Sequence, residues 1–245
     1  FDFDIGGAFL DAMTAWNAEP LEEGLVVSLE GFPEGRYAPF LTNHDQDRIM
    51  SQLSGVWDRA EVAGVLLLTL PGTPFVYYGE EVGLEGTKPD ELIRTPMPWD
   101  GESPNVGFTE GTPWQPADPG YPDANVASQF DDPDSLLSTY RTLIQYRNTS
   151  SALRLGTTTV LDPEPNGVFA MLRSDGDTHV LTVLNLSGRE TLSGPLNLPP
   201  LAGSATARTI HGDVPDTKVD DLADYWPVDV MPPFSSYVIE LTIDG

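Results

Sequence analysis

The feature that most constrains this fold is a pattern that occurs twice: a short apolar run that stops abruptly at polar residues. In Ala38–Arg48 (APFLTNHDQDR), Pro39-Phe40-Leu41 gives way to Asn43-His44-Asp45, with Asp47 and Arg48 close behind. In Pro74–Tyr78 (PFVYY) the run ends in Gly79-Glu80-Glu81. An apolar run that gives way to a polar cluster is the mark of a buried parallel strand whose carboxyl end opens into a site. In (β/α) barrels the chemistry sits at that end.

The intervening residues support the same reading. Phe1-Asp2-Phe3-Asp4-Ile5 alternates as a strand, Gly6-Gly7 ends it, and Ala8–Trp16 has helical spacing. Residues 19–36 read as mixed helix and loop. Asp58-Arg59-Ala60-Glu61 has the spacing of a capping box, opening a helix through Val62–Leu70 that Pro71-Gly72 stops. Three strand–helix units in succession predict parallel α/β architecture. Residues 83–132 form a long stretch rich in Pro, Gly, Trp and Asp, which points to a functional loop. Trp99 and Trp114 are expected to pack it, with stacking on sugar faces as the alternative. Asp134–Asn148 then predicts a helix with Leu136, Leu137, Tyr140, Leu143 and Ile144 on one face.

From about Gly156 the period changes. Val168–Leu172 and Val180–Leu186 are β-type runs joined across Asp175-Gly176-Asp177, a hairpin signal. A last strand over Ser236–Ile243 completes a small antiparallel sandwich.

Charge excludes some partners. Acids outnumber bases 38 to 12, giving a net charge of −26 among 245 residues. That argues against nucleic acid and against an anionic membrane surface. No apolar run approaches the roughly 18–20 residues of a spanning helix. An acidic, self-repelling surface suits a secreted protein or a high-salt habitat, with a cytoplasmic location as the alternative. There are no cysteines, so neither disulfides nor zinc–thiolate sites arise.

Several stretches together resemble glycoside hydrolase family 13, the α-amylase family. FDFDIGGAF is similar to its sixth barrel strand, FLTNHDQDR to the end of its seventh and GTPFVYYGEE to its eighth. IRTPMPWD, GFTEGTPWQP and NVASQFDDPDSLLSTYRTLIQYR resemble its loop and last barrel helix. The resemblance implies an α/β fold: a partial (β/α)8 TIM barrel of about strands 6–8 over residues 1–155, then an all-β antiparallel sandwich domain over 156–245. It implies retaining hydrolysis of α-1,4-glucosidic bonds in starch-like α-glucans. The alternatives are an exo-acting, oligo-1,6-glucosidase-like enzyme, an α-glucan transferase and a non-catalytic carbohydrate-binding remnant.

In this family the nucleophile Asp ends the fourth strand and the acid/base Glu ends the fifth. The chain begins around the sixth, so the resemblance implies a companion N-terminal segment carrying both. Of the family's carboxylates, the third falls on Asp45 as the catalytic group of this chain. His44, Arg94, Arg48 and Tyr78 are the substrate-binding candidates: His44 beside the same sugar, Arg94 at the non-reducing glucose, Tyr78 on the site floor. Arg48 reads equally as a structural ion pair. Glu80 and Glu81, adjacent on a strand, point to opposite faces and read as structural. No cofactor or metal is expected on these residues, the acidic Asp123 and Asp131–Asp134 included. Family calcium would belong to the N-terminal part. His179 and His211 fall in the sandwich, away from chemistry.

Overall fold

The structure is a computed structural model and describes all residues except 34, 165, 193, 195, 197, 200–203, 223–224 and 244–245. Its first part is helical: α1 (Ile5–Ala15), α2 (Glu19–Gly31), α3 (Ile49–Gln52), α4 (Trp57–Thr69), α5 (Asp90–Ile93), α6 (Val126–Gln129), α7 (Leu136–Thr149) and α8 (Ser151–Leu155). Its second part is β: β1 (Thr157–Leu161), β2 (Val168–Asp175), β3 (Thr178–Asn185), β4 (Thr191–Leu192), β5 (Ala205–His211), β6 (Thr217–Val219), β7 (Val230–Met231) and β8 (Ser236–Ile243).

The three expected parallel strands are present as short stubs. Asp2 pairs in parallel with Pro39, and Phe40 with Phe75. Asp2 N–H donates to Ala38 O (3.0 Å), Thr73 N–H to Tyr37 O (2.9 Å) and Phe75 N–H to Pro39 O (2.9 Å). The stubs therefore follow the chain order the alternation predicts, with Pro39–Leu41 in the middle. Phe1, Phe3, Phe40 and Phe75 meet edge-on across them, with ring centroids 4.8–6.2 Å apart.

The first strand is shorter than the alternation suggests, because helix α1 begins at Ile5 and runs through both glycines. The Asp2 carboxylate accepts from Asp4 N–H and Ile5 N–H (3.0 and 3.2 Å), satisfying donors at the helix start. Gly6 is required there by close approach: a Cβ would lie 2.6 Å from Leu41 O. The capping box is also corrected. Helix α4 opens at Trp57 after Val56, which makes no side-chain cap, and Asp58 lies inside its first turn, where its charge suits the dipole.

Two buried arginines close the other end of α4. Arg147 on α7 donates to Leu68 O, Leu70 O and Gly72 O (2.8, 2.9 and 2.6 Å). Arg173 on β2 donates to Thr69 O (3.2 Å) and Gly156 O (3.0 Å). The helix's unpaired carbonyls thus tie the helical part to the sheet. Helix α7 is capped by Ser135, whose Oγ accepts from Ser138 N–H. Its expected apolar face holds at Leu136, Leu137, Tyr140 and Leu143; Ile144 instead faces out.

The strands form an antiparallel sheet in the order β1-β2-β3-β8-β5-β6, with β4 and β7 as a separate ribbon. The β2–β3 hairpin turns at Gly176, whose φ of +57° suits a residue without Cβ. Both faces of the central strands are buried. Phe169, Met171, Val180, Leu184 and Val238 join the core of the helices. Val168, Ala170, Leu181, Val183, Ile239 and Leu241 form a second core with Leu196, Leu198 and Met231. That explains why these antiparallel strands read as unbroken apolar runs rather than alternating ones.

Candidate active site

The site is built at the carboxyl end of the middle stub. Beyond buried Leu41 and Thr42 the chain turns at Asn43, whose side-chain oxygen accepts from Asp45 N–H (2.8 Å). Gln46 N–H closes the turn on Asn43 O (3.2 Å). This local turn sends His44 and Asp45 outward, with side chains 65% and 64% exposed. His44 Nε2 lies 3.4 Å from an Asp45 oxygen.

Arg94 joins them from 49 residues further along the chain. Its Nε donates to His44 O (2.9 Å), and its Nη2 donates to Asp45 (3.0 Å) and Asp90 (2.7 Å). The second carboxylate, Asp90, was not among the sequence candidates. The signal for it is the i,i+4 spacing of an acid and an arginine in DELIR. A hydrogen bond from Lys88, with the charges of Arg94 and Lys88, holds Asp90 below the usual carboxylate range.

Arg48 does not join this open cluster. It is 1% exposed and lies beneath it, its guanidinium 4.6 Å from the Tyr77 ring centroid and 4.7 Å from that of Tyr78. Its Nη1 donates to Tyr78 O (2.6 Å), and burial lowers its pKa. It forms no ion pair among the described residues; it stacks on aromatic faces, which suits a planar, weakly hydrated cation. An arginine that follows Asp45 and Asp47 in sequence gives no sign of this.

Tyr78 is half exposed, but its hydroxyl donates to Thr95 O (2.8 Å), while the Tyr77 hydroxyl donates to Ile93 O (3.0 Å). The two tyrosines therefore hold the carbonyls on either side of Arg94. A closed circuit results. Arg48 supports Tyr77 and Tyr78, these fix residues 93 and 95, and Arg94 returns to His44 and Asp45. Every link is a stack or a hydrogen bond, so Arg94 reaches Asp45 from a backbone pinned on both flanks.

Glu80 and Glu81 lie on a 3-10 turn, Glu80–Val82, rather than on a strand. Glu80 is buried; Tyr140 Oη donates to it at 3.3 Å, and desolvation pushes its pKa well above the carboxylate range. Glu81 accepts from Gly79 N–H (2.7 Å). Glu81 serves its own turn, while Glu80 is buried away from the open cluster. Trp99 and Trp114 are 51% and 68% exposed, so much of each ring faces solvent, while the Trp99 side chain also lies against Gly107 of the long loop. His179 bonds Ser174 (2.8 Å), and His211 bonds Ser236 (2.9 Å) and lies 3.2 Å from Glu61. Among the described residues no group of three or more His, Asp or Glu could hold a metal ion.

Residues 12–156 match the family described as alpha amylase, catalytic domain. The chain is 30% identical over 231 residues to the glucan 1,6-alpha-glucosidase of Streptococcus pneumoniae, covering 75% of this chain and 42% of that protein. It is 35% identical over 152 residues to alpha-amylase 3 of Dictyoglomus thermophilum, covering 61% of this chain and 30% of that protein. In three dimensions it matches the crystal structure of alpha-amylase from H. orenii with a TM-score of 0.77 and 31% identity, covering 97% of this chain and 48% of that one. The chain thus spans less than half the length of these relatives.

Proposed function

Because the chain belongs to the α-amylase catalytic-domain family, we propose that it forms part of a retaining glycosidase acting on α-1,4-glucosidic bonds of starch-like α-glucans. The observation that carries the proposal is the outward-facing Asp45 carboxylate, held by Arg94 at the carboxyl end of a parallel stub with His44 beside it.

A carboxylate so placed accepts hydrogen bonds from adjacent sugar hydroxyls. Those bonds strengthen as the ring flattens toward an oxocarbenium ion, so they lower the barrier rather than only aiding binding. Arg94 keeps Asp45 aimed, and His44 restricts the pose of the same ring. Arg48 and Tyr78 act from beneath and beside, through the Arg94 backbone.

Retaining chemistry needs two further carboxyl groups about 5–5.5 Å apart. We assign the nucleophile Asp and acid/base Glu to a companion N-terminal segment that completes the barrel, along with any calcium. Two observations support this: the share of its relatives that the chain spans, and the exposed aromatic face of Phe1, Phe3 and Phe75 across the parallel stubs. The surface charge fits secretion, including into a saline habitat.

An exo-acting α-glucosidase is the second reading, favoured by Arg94 lying against Asp45 and by relatives named oligo-1,6-glucosidase, such as that of Halalkalibacterium halodurans. Product analysis on starch with the complete protein separates the two. Mixed oligosaccharides are expected. Glucose alone would refute the endo reading, longer products from oligosaccharide donors would indicate transfer, and no bond cleavage would leave a binding remnant.

A further inference from the structure

Arg94 serves two carboxylates through one nitrogen. Its Nη2 donates to Asp45 (3.0 Å) and to Asp90 (2.7 Å), while its Nε donates to His44 O (2.9 Å). A guanidinium is planar, and the two N–H bonds of one terminal nitrogen diverge at a fixed angle. Once Nε is set on His44 O and one Nη2 proton on Asp90, the direction of the other proton is determined, and it falls on Asp45. The Asp90 contact is local: Asp90 opens helix α5 and Arg94 follows that helix's last residue, an i,i+4 pair.

Asp90 is itself held. Lys88 Nζ donates to it (3.0 Å), and Lys88 N–H donates to Asp47 Oδ1 (2.6 Å), two residues beyond Asp45. A ring therefore runs from Asp47 through Lys88, Asp90 and Arg94 back to Asp45. Lys88 is one of two lysines in a chain with 38 acids. Two carboxylates that share one nitrogen lie close enough to repel, and the Lys88 ammonium offsets that repulsion. In the function proposed above, on which this inference rests, Asp45 gives its oxygens to sugar hydroxyls. Among the described residues the carboxylates paired with Arg94 are Asp45 and Asp90. Without Asp90, every hydroxyl that Asp45 accepts would compete with Arg94 for its one remaining carboxylate. We propose that Asp90 is a positioning residue: supported by Lys88, it keeps the Arg94 guanidinium in place while Asp45 turns to the sugar ring. Exposed ion pairs add little to stability, so this role belongs to turnover rather than to folding.

The test is steady-state kinetics on a defined maltooligosaccharide, with thermal unfolding, of the complete protein. Asp90→Asn should lower kcat about tenfold with KM within about twofold and Tm unchanged, because Asp45 acts on the transition state. Asp90→Glu, which keeps a carboxylate at the same spacing, should recover most of that loss. Lys88→Met should cost about threefold. In an Asp45→Asn background, Asp90→Asn should add no further loss. The same loss in both backgrounds, or a fall in Tm that tracks the fall in kcat, would overturn the proposal. So would a raised KM with kcat intact, which would place Asp90 on the substrate. An active wild type with Asp90→Asn unaffected would overturn this inference alone. A wild type that cleaves no α-glucan would overturn the reading of function and this inference together.

Discussion

The two ends of this chain handle backbone pairing in opposite ways. In the antiparallel part, β2 and β3 pair from Val168–Asn185 to Asp175–Thr178, and β8 continues the sheet. Both faces of these strands are covered. In the parallel part the strands are single bridges, and Phe1, Phe3 and Phe75 leave an aromatic face open to solvent. Parallel sheets are stable when both faces and both edges are covered. The difference teaches where packing is complete: the central strands of the sheet are covered on both faces, whereas the stubs leave aromatic rings exposed. The candidate site stands on the less covered part.

The strongest test of that contrast is Asp45→Asn in the complete protein. We expect turnover to fall about 10²–10³-fold, the scale of losing a group that acts on the transition state, with the urea midpoint unchanged. A matching loss of stability would make Asp45 structural and erase the distinction between a functional lip and a structural sheet. Next in size is Arg147→Met, which leaves the carbonyls of Leu68, Leu70 and Gly72 without their donor. Denaturant unfolding should show a loss of about 3 kcal/mol. Because α4 is the element both arginines hold, far-UV and aromatic probes should cease to coincide as the two parts uncouple.

A smaller effect is expected of Tyr78→Phe, which releases Thr95 O. One hydrogen bond of about 1 kcal/mol predicts a loss of about fivefold in kcat/KM. If Tyr78 acts through Arg94, that loss disappears when the substitution is made in Arg94→Ala. A loss of the same size in both backgrounds would place the Tyr78 hydroxyl on substrate instead. The smallest is a pH effect at the junction of the two parts. Burial, with Asp162 and Glu19 nearby, pushes Glu22 up to about 7. A carboxyl raised in the folded state favours folding below its unfolded value and loses that contribution as pH rises. Stability should therefore fall from about pH 4.5 to about pH 7, and Glu22→Gln should flatten that slope in urea titrations.

Much of this was legible in the sequence where apolar period and punctuation agree. Pro71-Gly72 stops α4, Gly176 turns the hairpin, and β8 spans Ser236–Ile243 as its pattern says. The errors fall where long-range contact overrides a local pattern. Gly6-Gly7 reads as a strand stop, yet Gly6 sits in a helix so that α1 can approach Leu41 O. Asp58 has cap spacing, yet the helix starts two residues earlier than that cap would place it, with Val56 at the cap position. At the site, the His44–Asp45 turn is local and readable. Arg94 meeting it, and Arg48 stacking under two tyrosines, are joined only by the fold.

The most direct measurement is a crystal structure of the complete protein with a bound, slowly cleaved maltooligosaccharide analogue. The account predicts both Asp45 oxygens within about 3 Å of adjacent hydroxyls on one glucose ring, with two carboxyl groups from the preceding segment flanking the glycosidic oxygen. A sugar bound elsewhere, with Asp45 still turned to Arg94 and solvent, would contradict it.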